Sequence, residues 1–262
     1  MLAYEAAGEG PPLVFLHAYP LSSAMWKGEI QVFSRTHRVI APDLAGFGRS
    51  PRQERPSMAD MARGVRDLLD ALWIREPVIL AGISMGGYVA FEFYRQFPER
   101  VRALGLFSTR ASTDAAGARK GRLEMAKRIR KEGLAFLPDV MMPKLLGNST
   151  RAKNQRLAGA LSRLILNNEK FGVADSLIAM AERRDSTDLL PRIMCPTLIV
   201  AGDEDEVISL DEAYLMQKGI PHSRLQVIQE AGHLINLEQP EPFQNALDKF
   251  LKDLGTGQLP AA

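Results

Sequence analysis

Six short apolar runs, separated by longer amphipathic stretches, constrain this chain more than any other feature. LVFL (13–16), RVIA (38–41), PVILAGI (77–83), VRALGLF (101–107), TLIVAG (197–202) and RLQVIQ (224–229) are compact and mostly apolar. Such runs suit strands buried on both faces of a parallel sheet. The stretches between them read as helices. SMADMARGVRDLLDALW opens on Ser57 as an N-cap and sets Met61, Val65, Leu68, Leu69 and Leu72 along one face. PEPFQNALDKFLKDL begins with Pro240 and Pro242 and spaces Phe243, Leu247, Phe250, Leu251 and Leu254 as a helix does. Alternating strands and helices imply right-handed crossovers, so the expected fold is α/β with a doubly wound, mostly parallel sheet.

The rhythm breaks once. From about Arg110 to about Leu190 no strand is evident, only helical segments such as RLEMAKRIRKEGLAFLPDVM and RLAGALSRLIL. The expected organisation is a core from residues 1–109 and 191–254 with a helical cap over 110–190. The tail GTGQLPAA (255–262) is expected to fray. The cap's basic residues, Arg119, Lys120, Arg122, Lys127, Arg128, Arg130 and Lys131, read as a solvated helix face on which Glu124 and Arg128 pair. A sharper reading has one arginine meeting a substrate carboxylate. Met125, Met141 and Met142 are expected to pack the cap onto the core. Trp26 and Trp73 fall in helical patterns and are expected in the core.

Bulk properties exclude several function classes. A net charge of only +2 gives no global field for nucleic acid or an anionic membrane. No apolar run approaches the ~20 residues that span a bilayer. The N-terminus lacks a basic segment followed by an apolar one, so a cytoplasmic protein is expected. The lone Cys195 offers neither an internal disulfide nor a metal cluster, and its place at the head of a buried strand makes it inert. No HExxH motif is present, and neither metal nor cofactor is expected.

AGISMGGYV (81–89) lies between an apolar run and a helical one. Gly82 and Gly86 flank Ser84 where strand and helix backbones would crowd. A serine that merely caps the helix would not need both glycines, whereas one held out on a strained turn would. Backbone N–H groups at the following helix start suit a developing oxyanion. A serine hydroxyl needs an oriented base. His233 follows the run RLQVIQ, which puts it at the strand ends where ligands gather in such sheets. His37 and His222 precede their strands, at the opposite edge. An acid is offered after TLIVAG by Asp203, Glu204, Asp205 and Glu206, and composition does not choose among them.

HAYP (17–20), DLAGFGRS (43–50), GISMGG (82–87), GDED (202–205) and AGH (231–233) together resemble the α/β-hydrolase superfamily, over nearly the whole chain. The resemblance implies an α/β-hydrolase fold and a Ser84–Asp205–His233 triad, since the family's acid usually stands three residues after the strand-ending glycine. It also implies oxyanion donors at the N–H groups of Met85 and Tyr19, with His17 bracing the latter's loop. Two departures stand out: Ala18 replaces the family's usual glycine, and Ser209 stands where a proline often follows the acid. Asp43, Gly46 and Gly48 read as structural. Members with an aspartate nucleophile are set apart by Ser84. The function implied is hydrolysis of small carboxylic esters through an acyl-enzyme, with a small-molecule ester or lactone as partner. GISMGG and AGHLINLEQP also resemble 3-oxoadipate enol-lactonases, and HAYP resembles the cofactor-free perhydrolases. A non-catalytic ligand-binding protein on the same fold is the remote alternative.

Overall fold

The computed structural model describes residues 1–256. The strands are β1 Tyr4–Ala7, β2 Pro12–Leu16, β3 Arg38–Pro42, β4 Val78–Ile83, β5 Val101–Phe107, β6 Thr197–Gly202 and β7 Ser223–Ile228. The core helices are α1 Lys27–Phe33, α2 Met58–Ala71 and α3 Met85–Gln96, and after β6 come α9 Leu210–Gly219, α10 Ile235–Glu238 and α11 Pro240–Thr256. Between β5 and β6 stand α4 Ala116–Glu132, α5 Leu137–Leu145, α6 Asn148–Lys153, α7 Gln155–Leu166 and α8 Lys170–Ala181, with no strand among the described residues there.

The sheet runs β1-β3-β2-β4-β5-β6-β7 and is parallel throughout except for β1, which is antiparallel to β3. The central strands β2, β4 and β6 are buried at every residue, which is why their sequences are continuously apolar rather than alternating. β1 was not expected from the sequence. Its YEAA is short and half-exposed, and it holds its place through the pairing of Tyr4 with Pro42 and of Ala7 with Val39.

Local chemistry fixes the helices. Ser57 caps α2 through a reciprocal pair: its hydroxyl accepts from Asp60 N while the Asp60 carboxylate accepts from Ser57 N. α1 and α11 pack together, and Trp26, just ahead of α1, lies 6.3 Å from Phe243 of α11 while stacking on Phe15 of β2 at 4.6 Å. α11 continues through Gly255 and Thr256, two residues into the expected frayed tail; the rest of that tail lies outside the described residues. No described helix is long and apolar enough to cross a membrane.

Three expectations are corrected. Trp73 is not core: α2 ends at Ala71, and a left-handed φ of 57° turns Trp73 outward, leaving it 81% exposed. Glu124 pairs with Lys120 at 3.8 Å rather than with Arg128, which pairs with Glu132 at 2.8 Å and lies over Phe136. The basic face of α4 is not wholly solvated either, because Arg122 turns in to Asp114 and Arg130 to Asp175, both carboxylates fully buried. Spacing along one helix cannot reveal acids that wait on other segments. Cys195 stands just ahead of β6, and burial pushes its thiol up to about 12.

Candidate active site

Ser84 is the single residue between β4 and α3, at φ 54° and ψ −114°. The crossing backbones force this conformation. A Cβ on Gly82 would stand 2.3 Å from the Gly86 carbonyl, and one on Gly86 would stand 2.3 Å from Leu16 O, so strand and helix approach only because both residues are glycine. The turn is pinned by Ser84 N donating to Phe107 O at 2.9 Å and by Thr109 Oγ1 donating to Ser84 O at 2.9 Å. Ser84 thus sits at the carboxyl edge of the sheet, at the head of α3, in a region of φ/ψ space that costs ~1–3 kcal/mol for a non-glycine residue.

His233 lies in the loop between β7 and α10. Its Nδ1 meets Asp205 Oδ2 at 2.8 Å, and both side chains are buried. An ionised carboxylate only accepts, so Nδ1 carries the proton and Nε2 is left as the lone-pair nitrogen. Asp205 is itself fixed: Oδ1 accepts from Val207 N at 2.8 Å and from Ile208 N at 3.0 Å. The other acids after β6 face elsewhere. Asp203 accepts a long bond from Ala231 N at 3.4 Å, Glu204 holds Ser149 N at 2.8 Å, and Glu206 lies 3.8 Å from Arg151. The structure therefore joins Asp205, and none of its three acidic neighbours, to His233, and sets that pair at the strand ends where Ser84 stands.

Two backbone donors complete the edge. Met85 N belongs to the first turn of α3, which has no intrahelical acceptor. Tyr19 N, in the loop after β2, has no backbone acceptor among the described residues. Ala18 takes the place of the family's usual glycine without strain, since its φ is not positive. His17 ties this loop to the next one, with Nε2 accepting from Leu44 N at 3.0 Å and Nδ1 facing Ala18 O at 3.0 Å. Burial lowers His17 to about 4, so its ring is neutral and both nitrogens are committed to structure. Asp43 is structural as well, accepting from Ser23 N at 2.8 Å and Arg49 N at 3.0 Å.

Two contributors carried no sequence signal. Asn168, between α7 and α8, donates to Pro20 O at 2.8 Å and accepts from Gly48 N at 2.8 Å, so the helical insertion clips both loops beside Ser84. Glu238 accepts from Leu234 N at 3.0 Å and from Gly147 N at 2.8 Å, joining the His233 loop to the insertion. Its burial raises the carboxyl above its ordinary range, against the backbone donors that surround it. A cleft of about 540 Å3, lined by Met58, Glu92, Leu123, Asp175 and Arg183, opens elsewhere and does not include Ser84.

The alpha/beta hydrolase fold family matches residues 11–240. 3-Oxoadipate enol-lactonase 1 of Acinetobacter baylyi is 29% identical over 93% of this chain and 90% of its own length. A thermophilic esterase from Thermogutta terrifontis, solved with malate bound, is 38% identical with a TM-score of 0.94, covering 97% of this chain and 93% of its own. The enol-lactonase from Burkholderia xenovorans LB400 superposes with a TM-score of 0.89 over 96% of both chains; at 22% identity it speaks to the fold alone. With its seven-stranded sheet and these matches, the chain belongs to the alpha/beta hydrolase fold family.

Proposed function

We propose that this protein is a serine hydrolase of small carboxylic esters that works through an acyl-enzyme, with the helices between β5 and β6 as its cap. The carrying observation is the strained Ser84 at the same sheet edge as the buried His233–Asp205 pair. His233 Nε2 takes the Ser84 proton as Oγ attacks the ester carbonyl, and Asp205 stabilises the imidazolium through Nδ1. The N–H groups of Tyr19 and Met85 receive the negative charge on the carbonyl oxygen. The alcohol leaves with the proton from His233, and water then repeats the steps on the acyl-enzyme. The esterase at 38% identity supports this reading.

The test is hydrolysis of p-nitrophenyl acetate and butyrate by wild type and four variants. Ser84→Ala and His233→Ala are expected to lose roughly a million-fold in kcat, as triad deletions do. Asp205→Asn should lose far more than Asp203→Asn. Ser84→Ala protein that still turned over the esters would sink the reading.

A lactone substrate is the second reading, favoured by the enol-lactonase at 29% identity. The same residues act, but the leaving oxygen stays tethered to the acyl group. A higher kcat/KM for a five-membered enol lactone than for any p-nitrophenyl ester would select it.

A further inference from the structure

α9 turns a partly apolar face to solvent. Its inner side is formed by Ala213 and Met216, both buried, and an amphipathic helix sets polar residues opposite such a side. Opposite them here stand Asp211, Tyr214, Leu215 and Lys218, which at 3.6 residues per turn share about 100° of arc. Tyr214 is 52% exposed and Leu215 42%. These four residues, with Leu190 and Pro191 of the turn Thr187–Arg192 that packs beside α9, wall an open groove of about 680 Å3. Tyrosine and leucine on a surface next to an apolar groove mark a place where another surface docks.

The charges on this face say what docks. Among the described residues neither Asp211 nor Lys218 forms an ion pair, whereas Asp188 and Arg192 of the neighbouring turn pair with each other at 2.8 Å. Asp211 and Lys218 are seven residues apart, about 10.5 Å along the helix. Their midpoint falls between Tyr214 and Leu215. A two-fold axis through that midpoint runs a second α9 antiparallel to the first. It sets Asp211 against the copy's Lys218 and Lys218 against the copy's Asp211, with Tyr214 against the copy's Leu215 between them. A closed two-fold contact needs a self-complementary face of this kind.

From that complementarity we propose that the exposed face of α9 is a homodimer interface, occupied by a second copy of this chain across a two-fold axis between Tyr214 and Leu215. The tyrosines and leucines form its apolar centre, and the groove beside α9 takes the copy's Tyr214 ring. The paired charges lie at the rim, where they fix the antiparallel direction more than they add affinity. One helix and one turn from each copy make a small interface, so a dissociation constant on the order of 100 μM is expected. The inference is independent of the hydrolase reading above.

The experiment is sedimentation equilibrium of the full chain from ~10 μM to ~1 mM at low salt, where surface charges are least screened. Wild type should pass from monomer to dimer over this range. Leu215→Glu, which brings like charges together beside the axis, should stay monomeric. Asp211→Lys and Lys218→Asp should each weaken the dimer by about tenfold, and the double variant carrying both should regain it. A one-to-one mixture of the two single variants should associate more tightly than either one alone, because both rim contacts then join opposite charges. All three positions are exposed, so the variants keep the fold, and melting curves matching wild type check this. A wild type that remains monomeric at ~1 mM overturns the proposal and leaves this face to a different partner. A dimer that Leu215→Glu leaves intact overturns it as well, since the contact then lies elsewhere. So do single variants that show no preference for each other in the mixture.

Discussion

Ser84 carries its hydroxyl on a backbone that disfavours any side chain. Its φ of 54° costs ~1–3 kcal/mol, whereas glycine adopts it freely and loses only ~0.5–1 kcal/mol in unfolded-state entropy. Ser84→Gly is therefore expected to gain about 1 kcal/mol while abolishing hydrolysis, and Ser84→Ala, which keeps the strain, should gain nothing comparable. Urea midpoints of the two variants at equal m-values check this; a Ser84→Gly protein less stable than Ser84→Ala would show that the turn is not strained. The flanking glycines made this turn legible in the letters, because a Cβ on Gly82 would meet the Gly86 carbonyl and one on Gly86 would meet Leu16 O. Asp205 was not legible from composition. Four acids follow one strand, and the choice rests on how the loop folds back so that Val207 and Ile208 donate to Asp205 alone. Trp73 misled for a related reason: the helical pattern ran past the residue at which the backbone left the helix.

Elements that were continuous in hydrophobicity were read from the sequence, and those that depend on distant partners were not. β1 has four residues, of which only Tyr4 favours a strand, and its register on β3 defines it. The junction around α10 is equally invisible. Glu238 closes that short helix, and its carboxylate holds Leu234 N beside His233 and Gly147 N at the head of α6. Leu234 N also faces Leu145 O at 3.3 Å, and Ser149 N donates to Glu204 beside Asp205 at 2.8 Å. One stretch of the insertion thus rests on both the histidine loop and the acid loop. Glu238→Gln keeps the shape but turns an amide N–H toward one of those donors, leaving it unpaired at a cost of ~1–3 kcal/mol. The expected result is a kcat lowered about tenfold with KM little changed, because the misplaced group is His233 rather than a substrate contact. Lower stability with an unaltered kcat would reduce Glu238 to a purely structural tie.

Across the whole molecule, buried titratable groups set opposing pH dependences. Burial lowers His17 from 6.5 to about 4, so the fold disfavours its protonated form, and stability is lost as pH falls from about 6.5 toward 4. Burial raises Glu29, whose carboxylate accepts from Asn236 at 3.1 Å and Gln244 at 3.2 Å, and it raises Glu238 as well. Their signs are opposite: the stability they contribute is fully present below 4.5 and is lost as pH rises through their folded values. As pH falls from about 6.5 toward 4 the histidine therefore destabilises the fold while the carboxyls act in the opposite sense. His17→Gln retains an acceptor for Leu44 N and a donor for Ala18 O but cannot titrate. Its Tm should rise relative to wild type as pH falls through this window. Glu29→Gln loses the opposing contribution, and its Tm should drop faster than wild type over the same interval. Melting curves at pH 7, 6, 5 and 4 check both variants, and curves that ran parallel to wild type would show that neither proton is linked to folding. His17 joins the Tyr19 loop to the Leu44 loop, so its protonation breaks a tie beside the N–H proposed as an oxyanion donor. Hydrolysis at pH 5, relative to pH 7, should therefore fall further in wild type than in His17→Gln, which shares every other titrating group.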